Sequence, residues 1–358
     1  MNRNRVTLRD IAARCDLSAM AVSLALRGHP SIPEATRERV RAAAMRLDYR
    51  PDPALAALNH YRHQRTPTAP GYVLAYVTCF EKRNGWQQSP FFRRAYRGAF
   101  EQAELLGYRM EHAWLTEPGV TGERFAQVLE ARGIRGMVIA PMPRPASRLQ
   151  LPWARFSCVA IGPSLIAPVL NSACGDQYQA IMLALERLRL MGYRRIGLMV
   201  HPDADRRHQG KYQAAVAFTA TRETPPPLVA EDPSDDDLRG WLRRHRPDVV
   251  ISDVDANYDR LTSLGLRVPQ DLGFASLVRS GRREISGVET FPEQIAGAAV
   301  LRLQQALYGN ETGVPELPSC TFLPGKWVDG STTRHTGCPS PEPARSGAGR
   351  LSRRRGRV

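Results

Sequence analysis

From residue 71 to about residue 330, short apolar runs alternate with amphipathic stretches, and this alternation restricts the fold more than any other feature of the chain. A first series has strand Tyr72–Phe80, helix Phe91–Leu106, strand Tyr108–Trp114, helix Glu123–Arg132, and strands Met137–Ala140 and Cys158–Gly162. A second has helix Asp176–Met191, strand Ile196–Val200, and helices Gly210–Ala220 and Asp237–Arg246. It continues with strand Val249–Ser252, a short helix near Tyr258–Leu264, strand Leu272–Leu277 and helix Pro292–Leu307. Strands separated by helices pair in parallel, with the helices covering the sheet faces. Two such series predict two Rossmann-like α/β lobes with a cleft between them, where ligands sit beyond the carboxyl ends of the strands.

The first fifty residues read differently, as three short helices. Thr7 and Asp10 have capping-box spacing, and the helix they open runs to about Cys15 with Leu8, Ile11, Ala12 and Cys15 on one face. Asp16-Leu17 forms the turn, Ser18 caps a second helix over Ala19–Leu26, and Gly28 fits just beyond its end. Ser31 with Glu34 is a further capping-box spacing, opening a third helix to about Leu47 with Val40, Ala44 and Leu47 inward. Two helices joined by a tight turn and braced by a third form a helix-turn-helix, whose second helix enters the DNA major groove. On spacing alone, a small helical bundle without a DNA role is the alternative.

The residues themselves carry a resemblance. Val6-Thr7-Leu8-Arg9-Asp10-Ile11-Ala12, Leu17-Ser18, Val22-Ser23, Thr36-Arg37-Glu38-Arg39-Val40 and Leu47-Asp48-Tyr49-Arg50-Pro51 resemble the headpiece of LacI/GalR-type repressors. The resemblance implies a dimer on a pseudo-palindromic double-stranded DNA operator. It makes Ala19, Met20, Ala21, Ser23 and Leu24 the recognition helix, with Ser18, Ser23, Thr36 and Tyr49 toward the phosphates and Thr7 a further DNA-binding candidate. Two departures stand out. Asp16 occupies the turn position usually held by glycine, although Asp tolerates a left-handed backbone better than most residues. Ala19, Met20 and Leu24 cannot make the bidentate hydrogen bonds that read guanine or adenine. Base reading is therefore expected through thymine methyls, with Arg27 and His29 adding polar contacts, or through DNA shape.

Asp52-Pro53 reads as an N-cap followed by proline at the first helical position, opening the short helix Ala54-Leu55-Ala56-Ala57-Leu58-Asn59. The resemblance implies that two such helices pair over the operator centre and that Leu58 wedges into the minor groove. Residues 60–70, with Arg62, Arg65, Pro67 and Pro70, read as a linker. The tail after Thr336 is rich in Pro, Gly, Ser and Arg. The expected organisation is thus an all-α headpiece over 1–50, hinge over 51–70, a periplasmic-binding-protein-like sensor domain over 71–333, and a basic disordered tail over 334–358. Charge follows this division. Of a formal +15, residues 1–65 hold 12 Arg against 6 acids, and residues 334–358 hold 7 Arg against 1. Positive potential at the chain ends suits a polyanion.

In the sensor region the resemblance is carried by Asp176-Gln177-Tyr178-Gln179-Ala180, Gly192-Tyr193-Arg194-Arg195-Ile196, Gly265-Leu266-Arg267-Val268-Pro269-Gln270-Asp271 and Gly325-Lys326-Trp327-Val328. It implies a small effector, of sugar type, in the cleft. Arg207 stands where the family places an effector-binding arginine, able to clamp a carboxylate or paired hydroxyls, while Asp176 and Asp253 are candidate acceptors for hydroxyls. Trp86 and Phe92 are candidates for an apolar wall. The aspartate often found after strand Leu272–Leu277 is replaced by Leu277-Val278-Arg279. The expected activity is that of an effector-gated repressor. A sensor domain that has lost small-molecule binding and serves dimerisation or a protein partner is the alternative.

Other classes are disfavoured. The six cysteines include no CxxC pair and no nearby His cluster, so neither a disulfide framework nor a metal site is expected. Nucleophile-elbow, phosphate-loop and GxGxxG patterns are missing, which argues against an enzyme and against a cofactor. Residues 1–10 are polar, without the apolar core of a signal peptide, so a cytoplasmic location is expected.

Overall fold

The computed structural model describes residues 6–26, 31–47, 49, 73–145, 147–279 and 281–334. The hinge and tail readings lie outside these residues, as do Gly28 and the pattern of residues 50–70.

In the headpiece, α1 (Leu8–Cys15) opens where the Asp10 carboxylate accepts from the Thr7 N–H at 2.7 Å and the Thr7 hydroxyl at 2.8 Å. Those bonds hold the Asp10 carboxyl below its ordinary pKa. The helix stops at Asp16, whose backbone is left-handed at φ 52°, ψ 51°. After Ser18, whose Oγ accepts from the Ala21 N–H at 3.1 Å, α2 runs over Ala19–Leu26. The third helix, α3 (Glu34–Arg46), has Pro33 as its cap residue and no side-chain cap bond. The expected Ser31–Glu34 box does not form: proline's φ suits it to a helix start, and Glu34 instead pairs with Arg37. Ile11, Val22, Ala25 and Val40 are fully buried where the helices meet.

The first lobe is built on β1 (Val73–Thr78), α4 (Pro90–Leu105), β2 (Arg109–Trp114), α5 (Gly122–Ala131) and β3 (Gly136–Ile139). The ribbon β4 (Ser147–Arg148), paired with β6 (Leu165–Ala167), flanks β5 (Ser157–Ile161), and β7 (Asn171–Gly175) follows. Along β1, Leu74 and Tyr76 pack under α4 while Ala75 and Val77 pack toward Phe125 and Leu129 of α5. Both faces are covered, which is why the strand reads as a continuous apolar run. Each fully buried Leu- or Val-sized side chain contributes ~1.5–3 kcal/mol.

The second lobe has α6 (Gln177–Leu190), β8 (Ile196–Val200), α7 (Pro202–Arg207), α8 (Lys211–Phe218), β9 (Leu228–Val229) and α9 (Asp235–His245). It continues with β10 (Val249–Ser252), α10 (Ala256–Ser263), β11 (Gly273–Ser276) and β12 (Ser286–Glu289). The chain then returns: α11 (Pro292–Gly309) packs on the first lobe, β13 (Cys320–Leu323) joins β7, and β14 (Lys326–Val328) pairs antiparallel with β12. The sheet orders are β13-β7-β5-β3-β1-β2 and β14-β12-β11-β10-β8-β9.

Two sequence expectations are corrected. The Pro292–Leu307 helix belongs to the first lobe, where Ile295, Ala299, Val300 and Leu303 complete a core with Ala95 and Ala99 of α4. Strands β7, β12, β13 and β14 had no apolar run to mark them; β12, Ser-Gly-Val-Glu, survives as a strand because it is enclosed by neighbours. Its Gly287 has φ +149°, and a Cβ there would stand 2.1 Å from the Ser276 carbonyl oxygen, so the close approach of β11 requires glycine.

Candidate nucleic-acid interface and inter-lobe cleft

Val22 and Ala25 turn α2 toward the headpiece core, and 3.6-residue periodicity then directs Met20, Ser23 and Leu24 to the other side. Met20 is 69% exposed; Met45 of α3 is also exposed, at 80%. Ala19 and Ala21 are half-buried beside Met20. The Ser18 hydroxyl caps α2 and the Thr7 hydroxyl is held by Asp10. Thr36 is half-buried in the first turn of α3, and Tyr49 packs against the core with its N–H on the Ala44 carbonyl at 3.0 Å. Arg27, His29 and Leu58 lie outside the described residues. The exposed side of α2 offers methyl and thioether surface plus one hydroxyl, which can contact thymine methyls but cannot form a bidentate base pair contact.

Between the lobes lies a pocket of about 220 Å3. The first lobe lines it with Ser89, Pro90, Phe91, Arg94 and Pro292, and the second with Asp253, Val254, Asp255, Val278 and Arg279. The second-lobe residues follow β10 and β11, so the pocket sits at the carboxyl ends of parallel strands. Asp253 accepts from the His201 N–H at 3.1 Å, and burial pushes its carboxyl up to about 6. Arg279 donates from Nε to the Ile285 carbonyl at 2.8 Å and from Nη2 to the Arg282 carbonyl at 2.9 Å. Arg94 reaches Glu289 and Glu293, each at 2.8 Å, and Arg97 also bonds Glu293.

The other sequence candidates are placed as follows. Arg207 spans the lobes: Nη1 donates to the Met142 carbonyl at 2.6 Å and Nη2 to that of Pro143 at 3.1 Å. Asp176 is the N-cap of α6, its carboxylate accepting from the Gln179 N–H at 3.0 Å. Trp86 stacks on Tyr96 with ring centres 4.1 Å apart, and Phe92 meets Phe80 edge-on at 5.2 Å. Neither lines the pocket; the neighbouring Phe91 does. Near Arg207, burial and two flanking cations push the His208 imidazole down to about 3, and Tyr212 donates to Gln177 at 3.0 Å. Sequence reading missed Phe91, and also Arg94, whose partner Glu293 is 199 residues away; for Arg279 the signal was the replaced aspartate. A larger depression of about 570 Å3 lies on the outer side of α6, along Met182, Leu183 and Leu190, away from the strand ends.

Among the described residues no group of three or more His, Cys, Asp or Glu side chains could hold a metal, and no helix is long and apolar enough to cross a membrane.

Residues 7–52 match the family model described as bacterial regulatory proteins, lacI family. An uncharacterised HTH-type transcriptional regulator from the aml 5' region of Streptomyces limosus is 30% identical over 207 residues, covering 55% of this chain and 53% of the relative. The match thus spans about half the length of that curated protein. Among solved structures, a transcriptional regulator CelR–cellobiose complex is 20% identical with a TM-score of 0.55, covering 92% of this chain and 100% of that one. The lac repressor dimer bound to operator and the anti-inducer ONPF is 16% identical with a TM-score of 0.54, covering 92% and 99%. At these identities the structural likeness speaks for the fold. Residues 7–52 thus match the headpiece of the lacI family of bacterial regulatory proteins, and the domain behind them shares the two-lobed α/β fold of those solved structures.

Proposed function

We propose that the protein is a dimeric, sequence-specific DNA-binding transcriptional repressor whose hold on a pseudo-palindromic operator is set by a small carbohydrate-type effector in the inter-lobe cleft. The observation that carries the DNA half is the outward side of α2: Met20, at 69% exposure, stands on the helix that a helix-turn-helix presents to the major groove. Ala19, Met20, Ala21, Ser23 and Leu24 read the bases, assisted by Arg27 and His29. Ser18, Thr36, Tyr49 and Thr7 set register on the phosphates, and Leu58 opens the minor groove. The related CelR and lac repressor structures, with cellobiose and with operator plus ONPF, support the two halves by analogy.

Gating follows from the lobes. A ligand that favours one lobe arrangement shifts the population of the form able to bind DNA, by no more than its difference in affinity for the two. Arg207, Asp253 and Asp176 are the candidate polar contacts from the second lobe, with Trp86 and Phe92 behind the apolar wall.

Selection of binding sites from random DNA by the full-length protein tests the DNA half. The expected result is a palindrome whose half-sites carry A·T pairs opposite Ala19 and Leu24. A G·C-rich core at those positions would overturn the apolar reading of α2.

A further inference from the structure

Arg207 already donates to the carbonyls of Met142 and Pro143, so charge recognition in this pocket is sought in the other arginines that line it. The pocket between the lobes carries two more arginines, Arg94 and Arg279, and their bonding differs. Arg94 lies between the carboxylates of Glu289 and Glu293, and Glu293 also takes Arg97. Two cations and two anions balance there. Arg279 is only 9% exposed, and its Nε and Nη2 donate to backbone carbonyls. Carbonyls orient a guanidinium without neutralising it. Among the described residues its nearest carboxylate is Glu289, 3.9 Å from Nη1 and already bound by Arg94. A cation held this way in a nearly dry wall is costly unless an anion joins it.

The rest of the wall adds two carboxylates, Asp253 and the buried Asp255, and an apolar portion. Asp253 takes the backbone N–H of His201 and its own on its carboxylate, which still leaves acceptor capacity for a hydroxyl. Phe91, Val278 and Pro292 supply apolar surface. The volume, about 220 Å3, is below the ~300–1,000 Å3 of drug-sized sites and suits one sugar ring.

We infer that the cleft takes a hydroxylated anion of monosaccharide size, with its carboxylate or phosphate on Arg279, a hydroxyl on Asp253 and its carbon face on Phe91. This rests on the effector reading above and moves its specificity from neutral sugars to their acids or phosphates.

Titration calorimetry on the full-length protein tests it with D-glucuronate, D-galacturonate and D-glucose-6-phosphate against D-glucose and D-galactose. At least one anionic probe should bind ~10-fold or more tightly than its neutral parent, the strength of a charge-assisted bond. Binding by the uronates alone assigns a carboxylate, and by the phosphate alone a phosphate. Arg279→Gln should weaken that probe by ~10-fold or more. Because Arg279 also braces the backbone at Ile285, a second variant is paired with it. Val254→Glu, at a rim position 37% exposed, adds a repelling carboxylate and should weaken the anion while leaving the melting temperature unchanged. The inference is overturned if neutral sugars bind as tightly as their acids, if no anionic probe titrates at millimolar concentration, or if neither variant weakens binding. Operator binding measured on the same preparation separates the two readings: if it persists while the anions fail, only the ligand class falls.

Discussion

Gly98 lies inside α4 and Gly240 inside α9, and replacing each by alanine should shift stability in opposite directions. Helix propensity treats them alike: alanine gains ~0.5–1 kcal/mol at either, because glycine loses more backbone freedom on folding. Packing separates them. A Cβ on Gly98 would stand 2.3 Å from the carbonyl oxygen and 2.4 Å from the Cα of Glu293, both backbone atoms of α11. Carbon contacts normally settle at ~3.5–4.0 Å, so the two helices must part. Overpacking of this kind costs ~1–3 kcal/mol, and a helix backbone cannot swing aside as a side-chain tip can. A Cβ on Gly240 meets nothing within 4 Å. The propensity gain is common to both, so the difference between the variants should be ~1–3 kcal/mol, the overpacking cost alone. At ~2–4 °C per kcal/mol, they should melt at least about 2 °C apart, on either side of the unmodified protein. Far-UV circular dichroism melts at matched protein concentration read this directly. If Gly98→Ala melts at or above the unmodified protein, the contact of α4 with α11 is not as tight as drawn, and the first-lobe assignment of α11 loses its main support.

Other outcomes follow from single residues. Burial raises the folded-state pKa of Asp253 to about 6, above the ~3.9 of an unfolded aspartate, so the folded chain holds this proton more tightly. Its stabilising contribution is complete below ~4 and is lost as pH rises through about 6. Asp253→Asn should therefore stabilise at pH 7, with the gain shrinking toward pH 4 in urea titrations; a pH-independent difference would rule out burial as the cause. The left-handed Asp16 should accept glycine with little change or a small gain, whereas Asp16→Val should cost ~1–2 kcal/mol in headpiece stability. Hydrogen exchange of α1 amides reports this, and equal protection in both variants would contradict the strain argument.

What the sequence by itself determined is mostly what is bonded within a few residues. Helices α1 and α2 fall where Thr7, Asp10, Asp16 and Ser18 place them, because caps and turns are satisfied within about four residues. The alternation of β1, α4 and β2 likewise announces a parallel sheet, since burial on both faces leaves its mark along each strand. Only the tertiary structure decided the rest. It sent α11 to the first lobe, because the surface beside α4 was open to its Ile295–Leu303 face, a choice that no local pattern records. It made a strand of Ser286–Glu289 by enclosing it between β11 and β14. It gave Arg207 to the Met142 and Pro143 carbonyls and left Arg279 facing the cleft. The partners in these contacts are brought together by the chain's repeated passage between lobes, and a charge or a glycine shows its meaning only when the atoms opposite it are known.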